Sequence, residues 1–560
     1  MPTGIGFPTL SAFMKIWSGS KTESGAFQYW LKLLSALVLV LAPAHSKGAG
    51  VTVITHGFDS DVNTWVTAMA DQIPTYPGFP GAGFTIYKLA IAYDATAGRY
   101  NATVSRTNGA PPLNTDSGEI IVKLDWGQLS GGTSPYDVST YGVANLAIGW
   151  LMQTNLIPEL GGHALVELPV HLIGHSRGGS LVSEISRQLG TNGLWIDHLT
   201  TLDPYPLNND GNDDSFLTAV VDAPAKSTYA NVLFADNYFQ QLGSFIDPDG
   251  EPVAGAYVRQ LTSLGGGYNN TSDVAPYHEN VHLWYFGTID FASNAYDEGA
   301  SFTSAERTQW WNSYEEKGAN AGFYYSRIGG GDQTSTNRPL GAGSGAVRDG
   351  YNQFWNLGAG TNNNRMLLSA NNGLWPNLVK LNRTGTNQIP QGDNVQVDYY
   401  YQWLNTNQAT LSFYLDDDLN PLNTNQTLLK QFQVQGTNNS FFINHGNITL
   451  PLSATNAAPG WHSIFASISG GGQIRYLYAP ELVQVVASQV PTLDITLLNN
   501  TQVQVGINGA VGQTLVLQSS TDLKTWQSVA TNLLTTARWT LTNSPPGTNS
   551  LLFYRALGKL

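Results

Sequence analysis

The stretch that decides the reading runs from Val170 to Gly179, VHLIGHSRGG. Val170, Leu172 and Ile173 give a short buried-strand pattern. After the glycines, Leu181, Val182, Ile185 and Leu189 recur at helical spacing. Between strand and helix stands Gly174-His175-Ser176-Arg177-Gly178, which fits G-x-S-x-G. Such a turn packs tightly and thrusts the serine hydroxyl out at the sheet edge. Glycine and serine are common in this chain, so the pattern alone says little. The strand before it and the helix after it make Ser176 a candidate nucleophile. The plainer alternative is an ordinary glycine-rich turn.

A serine hydroxyl needs a base to take its proton, usually a histidine held by a carboxylate. On a strand–turn–helix serine the chain order is serine, acid, histidine. Leu199-Thr-Thr-Leu202 is an apolar run that ends in Asp203 and is stopped by Pro204, so Asp203 is the candidate acid. An Asp-Pro turn is its bland reading. Asp197 precedes the same strand and stands at its wrong end. His278 and His282 lie in PYHENVHLWY, Pro276 to Tyr285. His278 sits where a loop enters a helix and is preferred as base. His282, one turn later among apolar neighbours, is the alternative base or a packed residue. His445 and His462 belong to a later β region. Acyl chemistry also needs donors for an oxyanion. The backbone N–H of Arg177 follows the nucleophile, and the N–H of Phe58 follows the early strand ending at His56-Gly57.

Around this centre the chain changes character. From about 50 to 300, β runs such as Val51–Ile54 and Ile120–Leu124 alternate with helical patterns, including Trp65, Met69 and Ile73 and residues 141–158. Strands alternating with helices predict a mostly parallel sheet. From about 380, period-two runs take over: Val395 to Tyr399, Thr410 to Tyr414 and Ile474 to Tyr478. They predict a β-sandwich. A second β unit follows Pro491, with runs at Gln502 to Val505, Thr514 to Leu517 and Leu552 to Tyr554. The predicted order is a lead and signal segment (1–44), an α/β domain (45–300), a connecting or wrapping region (301–380), an Ig-like β-sandwich (381–488) and a small β module (489–560). With 560 residues and roughly 150 per domain, a multidomain chain is the prior.

Composition narrows the function. Charged residues are only 12% of the chain and the net charge is −14, which argues against a nucleic-acid binder needing a basic stripe. There is no cysteine, so disulfides, thiolate metal sites and a cysteine nucleophile are excluded. Lys32, the apolar run Leu33 to Leu41 and Ala42-Pro43-Ala44 have the three parts of a secretory signal. Export, with a mature chain starting near His45, is the expectation.

With these residues in view, a resemblance is plain. Ile54 to Trp65 (ITHGFDSDVNTW) resembles the oxyanion-loop motif of the pancreatic-lipase-like branch of the α/β-hydrolases. Leu124-Asp125-Trp126, Gly174 to Gly178 and Leu202-Asp203-Pro204 resemble its later motifs in family order, and Trp284-Tyr285 stand where its aromatic pair follows the catalytic histidine. The resemblance covers roughly residues 50–290. It implies an α/β-hydrolase domain cleaving carboxylic esters or lipids with Ser176, Asp203 and His278, and no required cofactor. The animal enzymes' disulfide-bounded lid is not recognisable here, and residues 94–118 look like an extra hairpin. The C-terminal part is instead similar to small modules of secreted bacterial proteins.

Other features compete for attention. Asp416, Asp418 and Asn420 alternate as calcium-loop ligands do, although an acidic turn is the simpler account. Asp247-Pro-Asp249-Gly250 reads as a turn. Trp310-Trp311 and Tyr399 to Tyr401 could stack on carbohydrate, or simply fill cores. The rival to an exported esterase is a degenerate hydrolase scaffold whose β modules contact a cell surface or polysaccharide.

Overall fold

A computed structural model describes residues 48–560 except 77–78, 80–82, 132–135, 244–246, 290–295, 298, 311–321, 332, 334–364, 367, 369–372, 438–442, 454, 488–490, 500–501, 512, 545–550 and 559–560. The chain divides into Met1–Ala44 and His45–Leu560. The signal-like segment lies outside the described residues, as does Trp311. Among the described residues no helix is long and apolar enough to cross a membrane.

The first half is a mixed α/β sheet of eight strands. They are β1 (Val51–Thr55), β2 (Thr85–Asp94), β3 (Arg99–Gly109), β4 (Ile120–Asp125), β5 (Val170–His175), β6 (Ile196–Leu202), β7 (Val232–Gln240) and β8 (Tyr257–Leu261). Their order is β3-β2-β4-β1-β5-β6-β7-β8. All neighbours are parallel except the β2–β3 hairpin, which caps one edge. The hairpin expected at 94–118 lies earlier, over Thr85 to Gly109; residues 94–118 hold only its second strand and a turn at Pro112–Asn114. Strands β1 and β5 are buried along their whole length, as parallel strands covered on both faces must be.

Helices cover the sheet: α1 (Trp65–Gln72), α2 (Thr140–Leu151), α3 (Arg177–Thr191) and α4 (Pro276–Phe286). The helical pattern read over 141–158 ends at Leu151. Thr154 and Asn155 are weak helix formers, and Pro158 starts a separate turn. Two apolar clusters result. One joins Val53, Leu124, Leu172 and Leu181; the other packs α1 and α4 around Ile54, Met69, Leu202 and Trp284. Trp310, Phe323 and Ile328 from the 301–331 region complete the second cluster.

The C-terminal part is all β. Asn377–Thr384, Asn394–Gln402 and Asn444–Pro451 form one sheet, and Gln408–Asp416, Gly460–Gly470 and their neighbours form a second. Val395, Val397, Leu411, Phe413, Ile464 and Ile468 fill the space between them. The first strand begins at Asn377, four residues before the boundary read at 381. Leu378, Val379 and Leu381 already carry its buried positions. Tyr399 and Tyr401 are core residues, not a stacking face. After Thr492 two three-stranded sheets enclose a small core of Val505, Ile507, Leu515, Leu517 and Leu534.

The sandwich grips the α/β part at the N-terminal end of β6. Asn377 donates its amide to the Gly193 carbonyl (2.6 Å) and accepts the Trp195 N–H (3.0 Å). The Trp195 indole donates to Gln402 (2.7 Å), and Arg475 donates to the Trp195 carbonyl (3.2 Å) and to Asp197 (3.4 Å).

Candidate active site

The site is built where β5, β6 and α4 end or begin. Ser176 follows β5 and precedes α3, with φ 56° and ψ −127°. A non-glycine residue there is strained, and surrounding structure must hold it. The neighbours explain how. An added Cβ at Gly174 would stand 2.1 Å from the Gly178 carbonyl oxygen, and one at Gly178 would stand 2.3 Å from that of His56. Only glycines let the strand, the turn and the β1 loop close on one another. The Ser176 N–H donates to the Leu202 carbonyl (2.9 Å), tying the turn to β6.

Asp203 follows β6, also at positive φ (42°), and is fully buried. A buried carboxylate needs donors. It accepts from the Gln240 N–H (2.8 Å), the Gln240 amide (3.0 Å) and His278 Nδ1 (2.7 Å). His278 lies in the first turn of α4, which starts on Pro276 at a position where no N–H is needed. Asp247 takes the otherwise unpaired Tyr277 and His278 N–H groups, both at 3.0 Å. Burial disfavours the His278 imidazolium, but the Asp203 hydrogen bond and the charges of Asp203, Glu279 and Asp247 outweigh it and raise its pKa above 6.5.

Ser176 and His278 line one cavity of ≈ 460 Å³ together with Phe58, Trp65, Tyr205, Leu207, Phe216 and Val274. Among the described residues no hydrogen bond joins the two. Such bonds commonly tighten only when substrate arrives. Neither the Phe58 nor the Arg177 N–H is paired with a carbonyl among the described residues, so both remain available as donors. At the mouth, Phe216 and Val274 are 76% and 71% exposed.

His282, the alternative base, does not reach Asp203. Its Nε2 donates to Glu279 (2.8 Å) and its ring stacks on Trp65 at 4.5 Å. It is the packed residue of the two readings. Arg177 does more than lend a backbone donor. Its buried guanidinium clasps Asp222 (2.7 and 2.8 Å) and donates to the Ser130 and Val138 carbonyls (both 2.9 Å). It thereby ties Asp222, at the end of the segment whose Tyr205 to Leu217 line the cavity, to Ser130 and Val138.

Several residues escaped the sequence. His175 Nε2 donates to the His278 carbonyl (3.0 Å), bracing the base from behind. Gly250 leaves room for Asp203, since an added Cβ would meet Oδ1 at 2.0 Å. The Asp247 to Gly250 turn thus serves both base and acid. Nothing in a lone Asp-Pro-Asp-Gly signals that.

The calcium-like residues are otherwise engaged. The Asn420 side chain donates to the Pro112 and Thr115 carbonyls (2.8 and 2.9 Å), fastening the sandwich loop to the α/β part. Its nitrogen, not its oxygen, makes the contact. The Tyr478 hydroxyl donates to Asp416 (2.5 Å), whose pKa burial and the Asp418 charge push up to about 7. Asp418 accepts from Asn423 (2.6 Å) and Asn425 (2.8 Å).

No family model matches the chain, and no curated protein does. Solved structures similar to parts of it include the Pseudomonas fluorescens alkylpurine DNA glycosylase AlkC bound to DNA containing an abasic site analog. That match has 13% identity, covers 20% of this chain and 30% of that one, and has a TM-score of 0.15. A second is E. coli alpha-2-macroglobulin in its native conformation, at 10% identity, covering 36% of this chain and 17% of that one, TM-score 0.17. The chain spans less than a third of either, and likenesses this slight carry no argument.

Proposed function

We propose that the chain is a serine hydrolase of the α/β-hydrolase fold that cleaves carboxylic esters, and that it is exported. The observation that carries the reading is a strained serine sharing one cavity with a histidine whose far nitrogen donates to a buried aspartate. His278 Nε2 takes the Ser176 proton as Oγ attacks the ester carbonyl carbon. The Phe58 and Arg177 N–H groups stabilise the oxyanion. Collapse expels the alcohol, which receives the proton from His278. Water, deprotonated by His278, then attacks the acyl-enzyme and releases the acid. Asp203 keeps Nδ1 protonated and stabilises the imidazolium throughout. The apolar mouth formed by Phe216, Leu217 and Val274 favours an ester with an apolar acyl or alcohol group. Export rests on residues 32–44 alone, and N-terminal sequencing of secreted protein should begin near His45.

The test is Ser176→Ala. It should lower turnover of a short-chain aryl ester by about 10⁴-fold or more. It should also abolish labelling by a fluorophosphonate probe while leaving the unfolding midpoint in place. Wild-type turnover in the purified variant would sink the proposal. Failure of the unmodified protein to take the probe would favour the rival binding-scaffold reading.

A further inference from the structure

A second constellation sits in the wall of the same cavity, and the ester chemistry does not use it. Among the described residues, the ligating atoms of His175, Glu279 and His282 all lie within 4.8 Å of one another. They come from two elements. His175 ends β5, while Glu279 and His282 are three apart on α4 and so share one helix face. Both rings are held in place by Trp65, which stacks on His282 at 4.5 Å and meets His175 edge-on at 5.7 Å. His175 and Glu279 line the cavity, so a small cation can enter by the route that leads to Ser176.

We propose that His175, Glu279 and His282 form a binding site for a divalent transition metal of the zinc type, and that its occupation switches the hydrolase off. Two imidazoles and one carboxylate suit zinc, cobalt or nickel, whereas calcium and magnesium prefer oxygen ligands only. Three protein ligands leave the fourth tetrahedral position open, and water entering from the cavity fills it. Ligand atoms around a tetrahedral zinc stand about 3.4 Å apart for bonds of about 2.1 Å. The His282–Glu279 contact of 2.8 Å must open slightly, and no other pair need close by more than about 1.4 Å, which small side-chain rotations accomplish.

Inhibition follows from what the three residues do when empty. His175 donates to the His278 carbonyl, and Glu279 is the next residue along α4. A bound dication draws His175 toward itself and off the His278 carbonyl, so the base loses the contact that holds it in place beside Ser176. The effect on turnover rests on the proposed Ser–His–Asp chemistry. Binding does not.

The experiment titrates zinc chloride into the purified full chain, free of affinity tags, by calorimetry and by competition with a chromophoric zinc indicator. Aryl-ester turnover is followed in parallel. The expected result is one tight equivalent per chain, with turnover lost over the same zinc concentrations and restored by a chelator. Glu279→Gln and His282→Gln should each weaken that equivalent about 100-fold. His445→Asn, on the exposed sandwich surface, should leave it intact. Should His282→Gln fail to fold, Glu279→Gln, at the accessible side of the cluster, decides alone. Absence of a tight equivalent, or one that survives Glu279→Gln, overturns the site. Zinc bound there without loss of turnover overturns the switch. A zinc-free protein with no ester turnover tells against the hydrolase reading, and the calorimetric arm still judges the metal site.

Discussion

Two buried histidine–carboxylate pairs lie at opposite ends of the same sheet. His278 donates to Asp203 at 2.7 Å beyond the C-terminal end of β6; His198 donates to Asp236 at 2.9 Å near its start. Each borders a cavity, ≈ 460 Å³ for the first and ≈ 260 Å³ for the second. Each has a hydroxyl residue nearby. At the second pair, however, Thr200 spends its proton on Asp236 (2.5 Å) and accepts from His171 (2.8 Å), all on regular strands. At the first, Ser176 and Asp203 both stand at positive φ, and the hydroxyl is left uncommitted beside two backbone donors. The inventory of side chains is nearly the same. What separates the two ends is backbone that has left the strand.

The comparison breaks most sharply under parallel substitutions. His278→Ala should cut kcat on an aryl ester by about 10⁴-fold or more, and it should also cost roughly 3 kcal/mol of stability, because Asp203 is left buried without its imidazole. His198→Ala should cost stability alone. It leaves Asp236 buried without its imidazole and costs roughly 3 kcal/mol of stability, while the folded fraction keeps its specific activity. Equal kinetic damage from both would mean that the two pairs are not functionally distinct.

Next in size is Gly178→Ala, aimed at the strained turn. Its Cβ cannot coexist with the His56 carbonyl at 2.3 Å, so the turn must open. Roughly 2–3 kcal/mol of stability should be lost, and kcat should fall with KM less affected. A variant that retains full activity would show that the turn geometry is dispensable.

At the other end, Asn377→Ala removes two buried hydrogen bonds from the sandwich contact. It should cost about 1–2 kcal/mol in thermal or urea unfolding without altering kcat.

The smallest effect expected is in pH dependence. Asp203, Glu279 and Asp247 favour protonated His278, which cannot accept the serine proton. The acid limb of kcat/KM should therefore have its midpoint above the ordinary histidine value of about 6.5, falling as pH drops through it. A midpoint well below 6.5 would assign the base elsewhere.

Much of this site was legible because each member sits at an element end marked by glycine or proline. Ser176 is bracketed by Gly174 and Gly178, Asp203 is followed by Pro204, and His278 comes two residues after Pro276. Such residues punctuate the chain locally, so local reading suffices. The supporting contacts are not local. Asn377 meets Gly193 across 184 positions, and His175 meets His278 across 103. No period or spacing encodes those meetings. The contact made by Asn420 was not legible for a different reason. Alternating Asp and Asn promise oxygen ligands, but an amide has two ends, and packing turned its nitrogen inward. The strand starting at Asn377 was read late because Pro376 and the asparagines before it resemble a loop.

The grip on β6 also bears on how this protein could be divided. Strand β6 is seven residues long, about 23 Å at the usual rise. It is flanked by Trp195, held by the sandwich, and by Asp203, held by His278. A chain cut at residue 300 would take Asn377, Gln402 and Arg475 from Trp195, and Arg475 from Asp197, at one end of that strand. Exchange of the sandwich would have to carry Asn377, Gln402 and Arg475 along for Trp195 and Asp197 to keep these contacts.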